Sequence, residues 1–336
     1  MRYRVERAPR RRSRWFIALA VAVLSTASIA TWSPLHPAAA GSTLKILALG
    51  DSYTAGNGAG NYQSGASGCY RSADNYANRF ARRVGGSADV YACSGAVAND
   101  FDVVSSGRPP MKNWVDPTYD VIFLSIGGND LAFATVVAAC LTRLSRSAIP
   151  CLAALNRAED MIRSGELTKR IRTVLVNVRA RASTRAKVVL VGYPILESDP
   201  NFKLDPLIGP TVNVGQRVRA AGFAVDNLES QLVRELNTSC GCTAFVYQSV
   251  VSVFAGYEIS AGKVNDPRYF IQPSVDGYDI FVWYHPNSNG WAAEANAIYD
   301  NPAIPHSPYV APPVTTTTTT TTTTTVPRPS GPPTET

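Results

Sequence analysis

The sequence predicts an α/β protein whose parallel sheet is covered by helices on both faces. Three observations lead there. Short apolar runs recur between residues 44 and 248, and several end in Gly, Ser or Pro. Stretches with helical apolar spacing separate them. The part of the chain able to bury a core, residues 41–308, is long enough for one large α/β domain.

The runs LKILALG (44–50), ADVYACS (88–94), YDVIFLSIGG (119–128), AKVVLVGYP (186–194) and CTAFVYQ (242–248) are rich in Val, Ile, Leu and aromatics, as buried parallel strands are. Helical spacing marks 74–84 and 167–182. It also marks 212–236, where positions 214, 218, 221, 225, 228, 232 and 236 form one apolar face. A last helix is expected from Ser288 through WAAEANAIYD. Strands alternating with helices imply a parallel sheet, and in such sheets chemistry gathers in the loops at the carboxyl ends of the strands.

Both ends of the chain are of a different character. Residues 1–14 are basic, 15–32 are almost wholly apolar, and PAAAG (37–41) offers small residues before a cut after Ala40. That is the layout of a secretory signal peptide over 1–40, with an uncleaved membrane anchor as the competing reading. These forty residues carry seven arginines and one glutamate, so six of the seven formal positive charges fall there. The exported remainder is nearly neutral, and no basic stripe with interleaved aromatics points to nucleic acid. Residues 309–336 hold eleven consecutive threonines between proline-rich flanks. They have little to bury and are expected to form a disordered tail, either a plain spacer or a glycosylated stalk that associates with a cell wall or surface.

All six cysteines lie between these ends. With an export signal, an even count reads as disulfides, and six cysteines allow fifteen pairings. Pairing neighbours (Cys69–Cys93, Cys140–Cys151, Cys240–Cys242) closes the shortest loops and is the pairing expected. A metal site is the weaker reading, because the cysteines do not form two CxxC pairs and no histidine lies near them. No phosphate loop or dinucleotide fingerprint is present, so neither metal nor cofactor is expected.

The loops after the strands carry a chemical set. GDSYTAGNG contributes Ser52, ACSGAVAND contributes Gly95, IGGND contributes Asn129, and VWYHPNSNGW, before the last helix, contributes His285. A serine hydroxyl needs a base, which near neutral pH is usually histidine. Of three histidines, His36 lies in the signal and His306 at the edge of the tail, which leaves His285. An acyl-transfer transition state also needs donors for its oxyanion. Gly95 and Ser52 offer backbone N–H groups, and Asn129 offers a side-chain amide. Taken singly, each residue also fits an ordinary role: Ser52 a helix cap, Gly95 a turn, GGND a turn.

The ordered blocks GDSY, SGA, GGND and HPN, spanning residues 50–287, resemble the four blocks of the SGNH hydrolase (GDSL-type esterase/lipase) superfamily. The extended third block with Cys140 and Cys151, together with Cys69 and Cys93, is similar to secreted actinobacterial lipases and esterases. The resemblance implies a flavodoxin-like three-layer α/β/α sandwich with a shallow site and no metal. It implies Ser52 as nucleophile, His285 as base, and Ser52, Gly95 and Asn129 as oxyanion donors. One position departs from the pattern. Many members carry Asp three residues before the histidine, where this chain has Val282. The backbone carbonyl of Val282 or Trp283 is expected to orient the imidazole instead, with Asp279 or Asp276 as the alternative acid.

The resulting expectation is a secreted, monomeric serine esterase or lipase acting on an ester of a lipid or acylated carbohydrate. The alternatives are a carbohydrate acetyl-ester deacetylase of the same fold and an inactive surface-binding module. Substrate walls are expected from 129–165 and from the aromatic-rich 254–284.

Overall fold

The computed structural model describes residues 43–64, 68–261, 268–273 and 280–309. The expected signal peptide (1–40), the tail beyond Tyr309, Asp276 and Asp279 lie outside the described residues.

Five strands form the sheet: β1 (Lys45–Gly50), β2 (Ser87–Val90), β3 (Val121–Ser125), β4 (Lys187–Val191) and β5 (Phe245–Gln248). Every pairing is parallel and the order is β2-β1-β3-β4-β5. This is the flavodoxin-like order, in which the strand sequence reverses direction between β1 and β3 and leaves a crevice at their carboxyl ends. Register aligns Ile46 with Val121 and Gly50 with Ser125, so the residues after both strands emerge side by side. Gly50 makes that closeness feasible. Its φ is +113°, and a Cβ there would stand 2.1 Å from the Ser125 carbonyl oxygen.

Alternation along the strands builds two cores. Ile46, Ala48, Val121, Phe123, Val189 and Val191 face one side. There they pack with Tyr76 and Phe80 of α2 (Tyr76–Val84) and with Trp291 and Ile298 of α8 (Ser288–Asp300). Leu47, Leu49, Ile122, Leu124, Val188 and Leu190 face the other, against α5 (Glu166–Arg181) and the C-terminal half of α6 (Val214–Cys240). Burial on both faces is why the strands read as continuous apolar runs rather than as alternating ones.

The remaining α-helices are α1 (Ser52–Ala55), α3 (Phe133–Val136), α4 (Ala148–Arg163) and α7 (Val251–Phe254). The sixteen-residue α4 has no counterpart among the helices expected from sequence. Its buried stripe is mostly small (Ala148, Cys151, Ala154, Leu155, Ala158), and such residues give a faint amphipathic signal. The disulfide Cys140–Cys151 ties it to the segment after α3, and Cys69–Cys93 and Cys240–Cys242 are the other two bridges. Strand β5 begins three residues later than expected because α6 runs on to Cys240 and Asn237 then caps the junction. Its side chain donates to the Phe245 carbonyl and accepts from the Phe245 N–H.

Candidate active site

The turn after β1 is shaped by Asp51. Its carboxylate accepts from the Tyr53 N–H at 2.9 Å and so caps α1. The capping role considered for Ser52 therefore belongs to its neighbour. Ser52 becomes the first residue of α1, at the carboxyl edge of the sheet, and is 5% exposed.

His285 reaches Ser52 from the turn before α8. Its Nε2 lies 2.7 Å from Ser52 Oγ, and its Nδ1 lies 3.0 Å from the carbonyl oxygen of Trp283. A carbonyl only accepts, so Nδ1 carries the proton and Nε2 is left to accept from the serine hydroxyl. Burial pushes the imidazole pKa down to about 4, opposed by backbone hydrogen bonds at Trp283 and Val282. The ring is thus neutral at neutral pH. The preceding residue, Tyr284, has φ +61°, a strained conformation for a tyrosine. Its neighbours hold it there: its N–H donates to the Gln272 carbonyl, its carbonyl accepts from the Tyr53 hydroxyl, and its hydroxyl donates to Leu141 O.

Two further loops complete the site. Gly95, at φ +79°, has no atom within 4 Å of where a Cβ would stand, so its backbone faces open space. Among the described residues, neither its N–H nor that of Ser52 has a hydrogen-bond partner. Asn129 donates one amide proton to the Ala96 carbonyl at 3.0 Å, which leaves its second N–H free to donate elsewhere. Asp130 fixes the same two loops together. It accepts from the Ala98 N–H at 2.9 Å and from Arg170 at 3.0 Å.

Sequence reasoning missed a residue that joins the first loop to the third. Tyr193, just after β4, donates its hydroxyl to Asp51 Oδ2 at 2.6 Å and accepts from the Gly128 N–H at 3.2 Å. The loop rule pointed to it, since Tyr193 follows a strand, but its partners come from distant segments. Burial raises the Asp51 carboxyl to about pKa 7, while hydrogen bonds from Tyr193 and the Tyr53 N–H pull it down and Asp130 pushes it up.

Beside the serine opens a predominantly apolar cavity. Tyr53, Phe133 and Tyr193 form one end of its lining, with Leu155 of α4 and Val218 and Gly222 of α6 among the other walls. The expected wall 129–165 contributes, whereas none of the described residues of the expected 254–284 lines the cavity. There Phe254 and Tyr284 are spent on the core, and Tyr257 stacks on Phe270 at 4.0 Å; Tyr278 lies outside the described residues. Part of the apolar face read on 212–236 lines the cavity as well as packing on the sheet.

Comparison with known proteins gives concordant matches. The GDSL-like Lipase/Acylhydrolase family matches residues 48–293. The chain is 30% identical over 248 residues to a lipase of Streptomyces rimosus, covering 73% of this chain and 81% of that one. It is 31% identical over 264 residues to Lipase 1 of Streptomyces coelicolor, covering 78% and 86%. Among solved structures, the extracellular lipase from Streptomyces rimosus superposes with a TM-score of 0.61 at 25% identity, over 76% of this chain and 99% of that one. Phospholipase A1 from Streptomyces albidoflavus gives 0.60 at 28%, over 77% and 99%.

Proposed function

Since the chain belongs to the GDSL-like lipase/acylhydrolase family of SGNH hydrolases and hydrolyses carboxylic esters, we propose that it does so through an acyl-enzyme on Ser52. The observation that carries this reading is the line Ser52 Oγ, His285 Nε2, His285 Nδ1, Trp283 O, with its 2.7 and 3.0 Å contacts.

As Ser52 Oγ bonds to the ester carbonyl carbon, its proton passes to His285 Nε2. The imidazolium formed keeps its Nδ1–H on the Trp283 carbonyl. A neutral carbonyl fixes the tautomer but stabilises the cation less than a carboxylate does. The Ser52 and Gly95 N–H groups and the free Asn129 amide proton receive the oxyanion. Collapse breaks the bond to the alcohol oxygen, which takes the proton from Nε2. Water, deprotonated by the same nitrogen, then releases the acid and regenerates Ser52.

The acyl chain lies in the apolar cavity beside Tyr53 and Phe133. Its predominantly apolar lining suits a hydrocarbon chain and favours a lipase over the deacetylase alternative. The three disulfides and the extracellular Streptomyces relative support export with removal of residues 1–40 and an extracellular catalytic domain over 41–308. The threonine-rich tail would then hold that domain near a wall or surface.

The test compares the purified protein with Ser52→Ala on chromogenic esters of increasing chain length. The variant is expected to lose at least about 10⁴-fold in kcat. Equal rates would overturn the assignment.

A further inference from the structure

The acyl cavity is formed by segments that follow β3 and β4, together with α4 and α6. A second cavity is built from segments that flank and follow β2. In the sheet order these two groups stand on opposite sides of β1, whose end carries Ser52. The second cavity shares a wall with the oxyanion loop, since Cys93 and Ala96, on either side of Gly95, line it. It is therefore placed for the alcohol half of an ester whose acyl half fills the first cavity.

Its chemistry differs from that of the acyl cavity. Two guanidinium groups, Arg71 and Arg108, line it. Arg71 is anchored by Nε on the Ala92 carbonyl at 2.8 Å and by Nη2 on the Tyr91 carbonyl at 3.4 Å, and its Nη1 makes no hydrogen bond among the described residues. The Arg108 side chain likewise makes none there. Its ion-pair partner Asp100 stands at the long distance of 4.0 Å and also accepts from the Val97 N–H. Burial and the positive charge of Arg108 both lower the Arg71 pKa. Two like charges thus face one cavity whose single lining carboxylate, Asp100, is ion-paired with Arg108 and not with Arg71, which leaves a net positive charge that an anion between the guanidinium groups would neutralise.

The surroundings are rigid. Tyr91 and Trp114 stack at 3.9 Å with planes 4° apart and form an aromatic wall. Cys69–Cys93 fastens the Arg71 segment to the oxyanion loop, and the Ser94 N–H donates to the Cys69 carbonyl at 3.1 Å. Arg108 sits in a turn closed by reciprocal backbone hydrogen bonds with Ser105 at 3.1 and 2.9 Å.

We propose that this cavity binds a phosphate group carried by the alcohol half of the ester, with Arg71 and Arg108 on the phosphate oxygens and the Tyr91–Trp114 wall against the alcohol's carbon skeleton. This rests on Ser52 being the nucleophile. Binding energy on the phosphate is then available to align the ester carbonyl with Ser52, so it acts on kcat/KM for phosphate-bearing esters.

The experiment uses the purified full chain with dihexanoyl phosphatidic acid and dihexanoylglycerol, both as monomers in solution and identical in their acyl chains. The wild type is expected to favour the phosphate-bearing ester, and Arg108→Gln to reduce that preference about tenfold in kcat/KM. Arg108→Glu is expected to turn the preference towards the neutral ester. Arg71 is not the residue to replace first, because it also holds two backbone carbonyls. A preference unchanged in both variants overturns the proposal.

Two inhibitors separate the sources of the phosphate. Stronger competition by sn-glycerol 3-phosphate than by inorganic phosphate assigns the site to the esterified headgroup. Equal competition assigns it to the phosphate alone, and competition by neither overturns it. Ser52→Ala distinguishes the two readings. Activity retained in that variant refutes the nucleophile, whereas activity lost there with an unchanged ratio in Arg108→Gln refutes only the phosphate site.

Discussion

Asp51 and Tyr193 show how one buried hydrogen bond ties separate loops into a site. Asp51 as an anion accepts from both the Tyr53 N–H and the Tyr193 hydroxyl, and Tyr193 in turn receives the Gly128 N–H next to Asn129. Protonated, the carboxyl loses acceptor capacity and the contact to the Asn129 loop is disturbed. Asp51 titrates near pH 7 and His285 near pH 4, so the acid limb of kcat/KM is expected near pH 7 rather than near pH 4. Tyr193→Phe removes the strongest influence that lowers the Asp51 pKa, while the nearby carboxyls of Asp130 and Glu229 remain. The limb is therefore expected to move to higher pH, with a loss of roughly tenfold in kcat at pH 8 from misaligned oxyanion donors. A pH–rate profile of the two proteins checks this, and an unmoved limb contradicts it.

At the scale of elements, α4 and α6 wall the cavity proposed for the acyl chain and so would select its length. Both place small residues towards the cavity, Ala158 on α4 and Ala221 and Gly222 on α6. Even a Cβ at Gly222 would come within 2.7 Å of the Ile195 Cδ1 atom, so a larger side chain there must take cavity space. Each methylene denied burial loses about 0.8 kcal/mol. Gly222→Leu is thus expected to lower kcat/KM for long-chain esters by about tenfold or more, while acetyl and butyryl esters change little. A chain-length series on p-nitrophenyl esters measures it, and a uniform loss across all lengths would mean that α6 had moved instead. The α6 face was legible as a periodic apolar stripe. Its second use was not, because a residue lining a cavity and one filling a core look alike in sequence.

For the molecule as a whole, buried carboxyls set the response to pH. Glu294 on α8 is 1% exposed, its Oε2 has no partner among the described residues, and burial alone holds its pKa well above the usual carboxylate range. Glu229 on α6 is also raised, chiefly by burial and further by the charges of Asp226 and Asp51, against a hydrogen bond from Tyr247. A carboxyl whose folded pKa is raised contributes stability that is present below its unfolded pKa and is lost as pH rises through the folded one. His285, with a depressed pKa, acts in the opposite sense, losing stability as pH falls from about 6.5 towards 4. Because, among the described residues, raised carboxyls outnumber the one depressed histidine, Tm is expected to fall as pH is raised from 6 to 9. Glu294→Gln is expected to match the wild type at pH 5 and to melt about 2–4 °C higher at pH 9. Thermal unfolding at several pH values tests this, and parallel curves for the two proteins would refute it.

The sequence by itself determined the alternation of strands and helices, the parallel sheet and the family. Those follow from local apolar patterning and from short blocks at strand ends, which need no knowledge of distant contacts. It also left His285 as the candidate base by elimination, and offered as orienting group either of two adjacent carbonyls or the carboxylate of Asp279 or Asp276, both outside the described residues. Only the tertiary structure decided that Trp283, rather than Val282, faces the imidazole at 3.0 Å, because a strained turn at Tyr284 sets that direction. Likewise only the fold decided that Asp51 caps α1, that Tyr193 bridges two loops, and that two arginines 37 positions apart share one cavity. Each of these depends on which chain segments the sheet order places side by side, and local pattern carries no record of that order.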